Sequence, residues 1–497
     1  MINYYSVNQP PMILESDLAG EIPLYLYWPQ DKTFLLYSNS IIELLNDVRV
    51  PKPLNVSCEG ISFLLQSGVV PPPKTAYKGL YIIGIGDTAK VSTVAGKIDV
   101  QFNHRFPFLN VDRFQTHEMQ PDEDLILKML AEATVSRIDH SKQSFLFHSA
   151  GKDSNSIALA LAEAGWQDKV TLITHKSKGK ADESVISGKI AKKLGFKHET
   201  LYEVDRLEVQ HKQAIEEYFS RAPFPCTDNV SLAYPLYSHQ APHLKDSNII
   251  FGDGNDSHMM SPPNRRQLRF LPYAKLASKL SFLRSVVDSE STINSVVRTP
   301  AEWFGMSGLS FKDSKKIYSN SVSVHPYWSF ESEIRKDWDI FDFKSDIYST
   351  RTITERMIRK LFNFVAANNS QIVLPFANRE VAEYFGKMPE AYLFDRSTLK
   401  NKLILREILK KHISLDSDVI GKMGWTYDSS NVVLNNWEWI FDEIDKCKLW
   451  DKVGVSEVVS RLKKTMQSNH KYAGLAGQLI YRIFLISSWF NHCRYLA

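Results

Sequence analysis

Residues Ser149-Ala150-Gly151-Lys152-Asp153-Ser154 place two hydroxyls, a glycine, an ammonium and a carboxylate in one short segment. The apolar run 145–147 before them reads as a buried strand, and 157–164 after them as a helix that stops at Gly165. A small-residue loop between a strand and a helix N-terminus cradles anions, because its N–H groups and the helix dipole converge on one spot. A second loop, Gly252-Asp253-Gly254-Asn255-Asp256-Ser257, leaves the apolar run 248–251. In a parallel sheet both loops lie at the same edge, where ligands bind. Mg²⁺ takes one or two carboxylates plus phosphate oxygens, so Asp153 and Asp256 read as its ligands beside a bound polyphosphate. Taken singly, each loop also reads as a plain turn; the site reading rests on the pair.

The elements that must position these loops follow from periodicity. Residues 1–115 lack helical periodicity. Short runs at 24–28, 34–37 and 79–83 read as strands of a small β-rich domain, with Pro71-Pro72-Pro73 in a loop between two of them. Residues 116–124 read as a linker. The pattern then changes to a helix at 122–138, the strand at Phe145, the helix containing Ser156, a strand at 170–174, a helix at 182–194 stopped by Gly195, and strands at 198–202 and 248–251. Strands alternating with helices imply right-handed βαβ units and a parallel sheet. Beyond residue 265 the chain reads as mainly helical. The expected fold class is therefore α/β: a parallel-sheet domain over 120–490 with a helical C-terminal part, preceded by a β-rich domain over 1–115.

Composition sets the class. Of 497 residues, 43% are apolar and 23% charged, as in soluble globular proteins. A net charge of +4 gives no reason to expect nucleic acid or a membrane as partner. Cys58, Cys226, Cys447 and Cys493 are far apart, which indicates neither a zinc site nor a disulfide framework and fits a reducing cytoplasm. Met1-Ile2-Asn3-Tyr4-Tyr5 has no leader pattern. The run 479–490 is broken by Arg482, is too short to span a bilayer and reads as a buried helix. Cytoplasmic location is the expectation.

The first loop is not a Walker A sequence; it resembles the PP-loop S-G-G-x-D-S of ATP pyrophosphatases, with Ala150 for the first glycine. The two loops in this order resemble the SGGxDS and G-(D/E)-G-x-DE motifs of the asparagine synthetase family's synthetase domain. Asp182-Glu183 sits where that family has a D-E pair, and Pro225 and Asp228 fall in a P-x-x-D stretch. Leu374-Pro375-Phe376-Ala377-Asn378-Arg379 is similar to R-x-PFLD-x-R, and Lys402-Leu403-Ile404-Leu405-Arg406 to K-x-x-LR. Gly421-Lys422-Met423-Gly424-Trp425 is similar to R-x-K-x-G-(F/W), with Ile420 in the arginine's place. The resemblance implies an adenine nucleotide alpha hydrolase-like fold that uses ATP and Mg²⁺ and releases AMP and pyrophosphate. It implies that Ser149, Gly151, Asp153 and Ser154, with Gly252 and Gly254, bind the nucleotide, and that Asp153 and Asp256 hold the metal. By the same resemblance Lys422 stabilises the adenylate and the tetrahedral intermediate, and Asp253 helps deprotonate the amine. Lys402 and Arg406, four apart, either reach phosphate or pair with Glu407 or Asp395. His148 reads as a packed strand residue.

Residues 63–91, with Gly68-Val69-Val70-Pro71-Pro72-Pro73-Lys74-Thr75 and Tyr77-Lys78-Gly79, resemble the end of that family's Ntn glutaminase domain. Ile2 stands where glutamine-using members carry the nucleophilic cysteine, and Met1-Ile2 offers no such nucleophile. The expected function is an ATP-dependent, amide-forming synthetase without its own glutamine hydrolysis. Its partners would be a carboxylate and an amine of a small molecule, peptide or glycan precursor, with free ammonia or a partner protein as alternative nitrogen sources. Ser257 and Asn378 replace acidic motif residues; β-lactam synthetases and lasso-peptide cyclases also vary there and lack glutaminase activity. One alternative is a tRNA-modifying-type ATP pyrophosphatase, because Gly151-Lys152-Asp153-Ser154 resembles a GGKDS loop, although paired cysteines and a basic RNA face are not evident. A non-catalytic relative is the other, and retention of Asp153, Asp256 and Lys422 argues against it.

Overall fold

Side-chain alternation along short strands sorts the N-terminal region into two layers. In the computed structural model, which describes residues 1–110, 113, 119–178, 182–420 and 427–496, β1 (Asn3–Ser6), β4 (Phe34–Ser38), β3 (Leu24–Tyr27) and β5 (Leu80–Ile83) form one antiparallel sheet in that order. A second sheet holds β2 (Met12–Glu15), β6 (Asp87–Val94) and β7 (Lys97–His104). Leu24 and Leu26 of β3 close a small core with Leu14, Val91, Ile98 and Val100 of the second sheet. Tyr25 and Tyr27 point the opposite way, into the main core. All four residues of β3 are buried, so its sheet is covered on both faces.

The β-rich N-terminal region also contains helices at Ile41–Asn46 and Cys58–Ser67, where the sequence shows no helical periodicity. The first is too short to display a period. The second buries eight of its ten residues, so it has no polar stripe to reveal it. Ser57 caps its start through the Gly60 N–H.

The central sheet is wholly parallel. Its order is β10 (Lys197–Tyr202), β9 (Val170–Lys176), β8 (Ser144–Phe147), β11 (Asn248–Ile250) and β12 (Gln371–Val373). The chain leaves β8 toward β9 but leaves β11 toward β12. The crevice beyond the carboxyl ends of β8 and β11 is therefore the topological switch point. β12 falls in the stretch expected to be helical; three residues carry no legible period. The Ala473–His492 helix is buried along most of its length, as the apolar run suggested.

Buried charges join the N-terminal layers to the helical part. Arg351 donates to both carboxylate oxygens of Asp87, at 2.8 and 2.9 Å. His104 bridges Asp87 and Asp346 at 2.8 and 2.9 Å, and Arg335 holds Asp346 at 2.6 Å. Burial opposes the charge on His104 and Arg351 adds to that, yet Asp346 and Asp87 outweigh both and raise its pKa. Arg351 lies in the π-helical segment Ile347–Ile358, and Arg359 just beyond it donates to the Tyr25 hydroxyl at 2.9 Å.

Removing one partner from such a pair strands the other in a dry interior. Asp87→Asn should cost roughly 3–5 kcal/mol, read from the urea midpoint and slope. A loss under about 1 kcal/mol would mean that the network is not holding these layers together.

Candidate active site

Both loops of the sequence reading meet at the switch point. Hydrogen bonds from His148 N–H to Ile173 O (2.7 Å) and from Phe251 N–H to Val373 O (3.0 Å) continue the ladders to the loop bases. The first loop is drawn tight by its own hydroxyls. Ser149 Oγ accepts from the Gly151 N–H at 3.0 Å, and Ser154 Oγ accepts from the Ser149 N–H at 3.1 Å. Asn155 donates to the carbonyls of Ser149 (3.0 Å) and Gly151 (2.6 Å). Burial pushes the pKa of His148 down to about 4, so its ring is neutral and pairs through Nε2 with Asn155 Oδ1 at 2.9 Å. The helix Lys152–Glu163 starts at this loop with its N-terminus toward the crevice.

Two glycines of the second loop act through space. A Cβ on Gly252 would lie 3.0 Å from Ser154 N and 3.1 Å from Asp153 Cβ, so the loops pass at backbone distance. Gly254 has φ +107°, and a Cβ there would stand 2.8 Å from the Ala377 Cβ. Ala377 follows β12, so the missed strand also forms a wall of the site.

A closed set of bonds ties the loops together. Asn255 donates to Asp153 Oδ1 at 2.8 Å, and Lys402 donates to Asp153 Oδ2 at 2.6 Å and to Asn255 Oδ1 at 2.9 Å. Lys402 sits in the left-handed region at φ 56°, just before the Leu403–Ile413 helix. Its ammonium is buried, yet Asp153 and Asp256 outweigh the desolvation and raise its pKa. Lys402 thus reaches the loop carboxylate rather than Glu407 or Asp395. Arg406 turns away, to Asp418 (2.7 Å) and the Asn401 carbonyl (2.8 Å).

The cleft between the loops has a volume of about 260 Å³. Ser149, Gly151, Asp153, Ser154, Gly252, Asp253 and Asp256 all line it, while Gly254 braces its wall. Burial raises the pKa of Asp253; Lys360 opposes the rise, and the Asp256 and Asp153 carboxylates add to it. Glu183, of the Asp182-Glu183 pair, accepts a hydrogen bond from the Ala150 N–H behind the first loop. Burial, with the neighbouring Asp182 charge, raises its pKa to about 7. An apolar part of the wall has Phe147 and Phe251 stacked 5.0 Å apart beside Tyr234 and Met357.

Among the lining residues that escaped the sequence reading are Lys360 and Asn255. Lys360 is buried, pairs with Asp228 at 3.0 Å and faces the cleft from the Arg359–Asn368 helix. Asn255 lay inside a recognised loop, but its amide was overlooked between two aspartates. Neither substituted motif position lines the cleft: Ser257 is buried against His258, and Asn378 caps the Arg379–Lys387 helix through the Glu380 N–H at 3.0 Å. Lys422 and the rest of Gly421-Lys422-Met423-Gly424-Trp425 lie outside the described residues.

Charge balance tests the metal reading. Asp153, Asp253, Asp256 and Glu183 face Lys360 and Lys402 across the cleft. Lys402 is committed to Asp153 and Lys360 to Asp228. Asp253 and Asp256 therefore leave excess negative charge where a polyphosphate would bind. A hard cation with oxygen ligands resolves that conflict, so the donor set fits Mg²⁺.

Two outcomes follow from this geometry. Gly254→Ala adds roughly 1–3 kcal/mol of backbone strain and a clash with Ala377, and should weaken Mg-ATP binding about tenfold or more by calorimetry. Unchanged affinity would show that the second loop does not set the site. A carboxyl whose folded pKa is raised above its unfolded value opposes folding once ionised, and for Glu183 that cost grows between about pH 4.5 and pH 7. Glu183→Gln should raise the melting temperature near pH 8 and leave it unchanged near pH 4; equal effects at both would rule out the raised pKa.

Comparison with known proteins places this geometry. No curated protein matches the chain. Residues 125–420 match the family model described as asparagine synthase. That span holds the whole parallel sheet, both loops and Lys402, and covers more than half of the sequence; the chain belongs to the asparagine synthase family of ATP-dependent carbon–nitrogen ligases.

Proposed function

We propose that this cleft adenylates a carboxylate and couples it to an amine, releasing AMP and pyrophosphate. The observation that carries the reading is the meeting of the two loops at the switch point, with Asp153 shared by Lys402 and Asn255. A substrate carboxylate oxygen attacks the α-phosphorus, and the bond to the pyrophosphate oxygen breaks. The amine then attacks the acyl carbon, and the bond to AMP breaks. Loop N–H groups and the Ser149 and Ser154 hydroxyls hold the departing pyrophosphate. Asp153 and Asp256 would hold Mg²⁺, which supplies charge neutralisation on the phosphates. Asp253, with its raised pKa, suits transient acceptance of the proton that the attacking amine must lose. The resemblance assigns Lys422 to the charge of the adenylate and of the tetrahedral intermediate.

No cysteine lines this cleft. Cys226, Cys447 and Cys493 are buried, and burial raises each of their thiol pKa values. Cys58, the N-terminal region's cysteine, opens a helix and accepts a hydrogen bond from the Tyr318 hydroxyl at 3.3 Å.

Incubation with Mg-ATP and pooled carboxylates and amines should yield AMP and pyrophosphate, and Asp153→Ala should abolish both. Formation of ADP instead would overturn α/β cleavage. A mass shift in the pool then identifies the acyl and amine partners.

A further inference from the structure

The segment after the second loop is chemically unlike the rest of the chain. Residues 257–287 contain six arginines and lysines and no aspartate or glutamate, although the whole chain has a net charge of only +4. Arg284 is buried against Glu302 at 2.7 Å. Arg265, Arg266, Arg269, Lys275 and Lys279 are exposed, and among the described residues they form no ion pair. Three of them sit in the first turns of the Arg265–Ala277 helix, where the positive end of the dipole disfavours cations.

Apolar side chains share this face. The helix continues into the 3₁₀ segment Ser278–Ser285, against which the Thr292–Val296 helix packs. Of the 24 exposed large apolar side chains among the described residues, eight fall between residues 270 and 296. Tyr273, Leu276, Phe282 and Val286 are each more than 60% exposed, at 68, 69, 63 and 63%. Such an apolar concentration marks an interaction surface.

We propose that this face docks on an anionic membrane leaflet. Protruding apolar tips interleaved with cations suit lipid phosphates above an acyl boundary. Glu333 shares the neighbouring cleft with Lys275 and Lys279, while Arg265, Arg266 and Arg269 form no ion pair among the described residues, so cations prevail over acids on this face. Among the described residues no helix is long and apolar enough to cross a membrane, so attachment would be peripheral. The whole-chain charge hid this feature because acids elsewhere cancel it.

The test is co-sedimentation of the full chain with phosphatidylcholine vesicles, with and without phosphatidylserine. Binding should require phosphatidylserine and weaken with salt. Lys275→Glu/Lys279→Glu and Tyr273→Ser/Leu276→Ser should each lower partitioning about tenfold or more at an unchanged melting temperature. Lys90→Glu/Lys97→Glu, on the distant β6–β7 hairpin, should leave it intact. No binding to phosphatidylserine vesicles at low salt would overturn the proposal. So would equal loss in the distant variant, which would mark general cation attraction. A dimer by light scattering that Tyr273→Ser/Leu276→Ser splits would overturn it too, and would assign the face to a second copy of the chain.

Discussion

The backbone-distance contact of Gly252 with Asp153 and Ser154 is the constraint on which the site depends. β8 and β11 are hydrogen-bonded neighbours, so their loops emerge about 5 Å apart. No side chain fits between them at that point. Once the loops touch, Asn255 reaches Asp153, and Lys402 closes the set from a third segment. Gly254 repeats the same logic on the far side, against Ala377. The sheet order thus dictates where glycine must stand, and the glycines dictate where the carboxylates point.

The resulting cleft is electrostatically poised rather than simply positive. Both lysines are already engaged, Lys402 by Asp153 and Lys360 by Asp228. Among the described residues the lysines that line the cleft are thus held by carboxylates, which offsets the cost of keeping buried ammonium groups out of water.

How much of this was legible depended on the range of the interaction. The strand–loop–helix signatures at 144–163 and 248–257 were readable because each is local: an apolar run, small residues, then a change of period. The parallel sheet followed from their alternation. β12 was not readable, since three residues hold no pattern, and neither was the Cys58–Ser67 helix, whose burial on nearly all sides erased its amphipathic stripe. Lys402 could be flagged but not assigned, because its partner is remote in sequence and its left-handed backbone is a tertiary imposition. Lys360 carried no local signal, since only the fold brings the helix bearing it to the cleft.

Lys360 also gives the N-terminal layers a reach that their own residues lack. Its neighbour Arg359 is fastened to Tyr25 on β3, and the π-helical segment just before it is clamped to β6 through Arg351 and Asp87. One short stretch of helix therefore has the β-layers on one side and the cleft on the other. This connection couples the β-layers to the cleft: a displaced sheet would carry with it the helix that bears the Lys360 ammonium. A substitution that loosens this clamp would then be felt at the cleft as well as in stability.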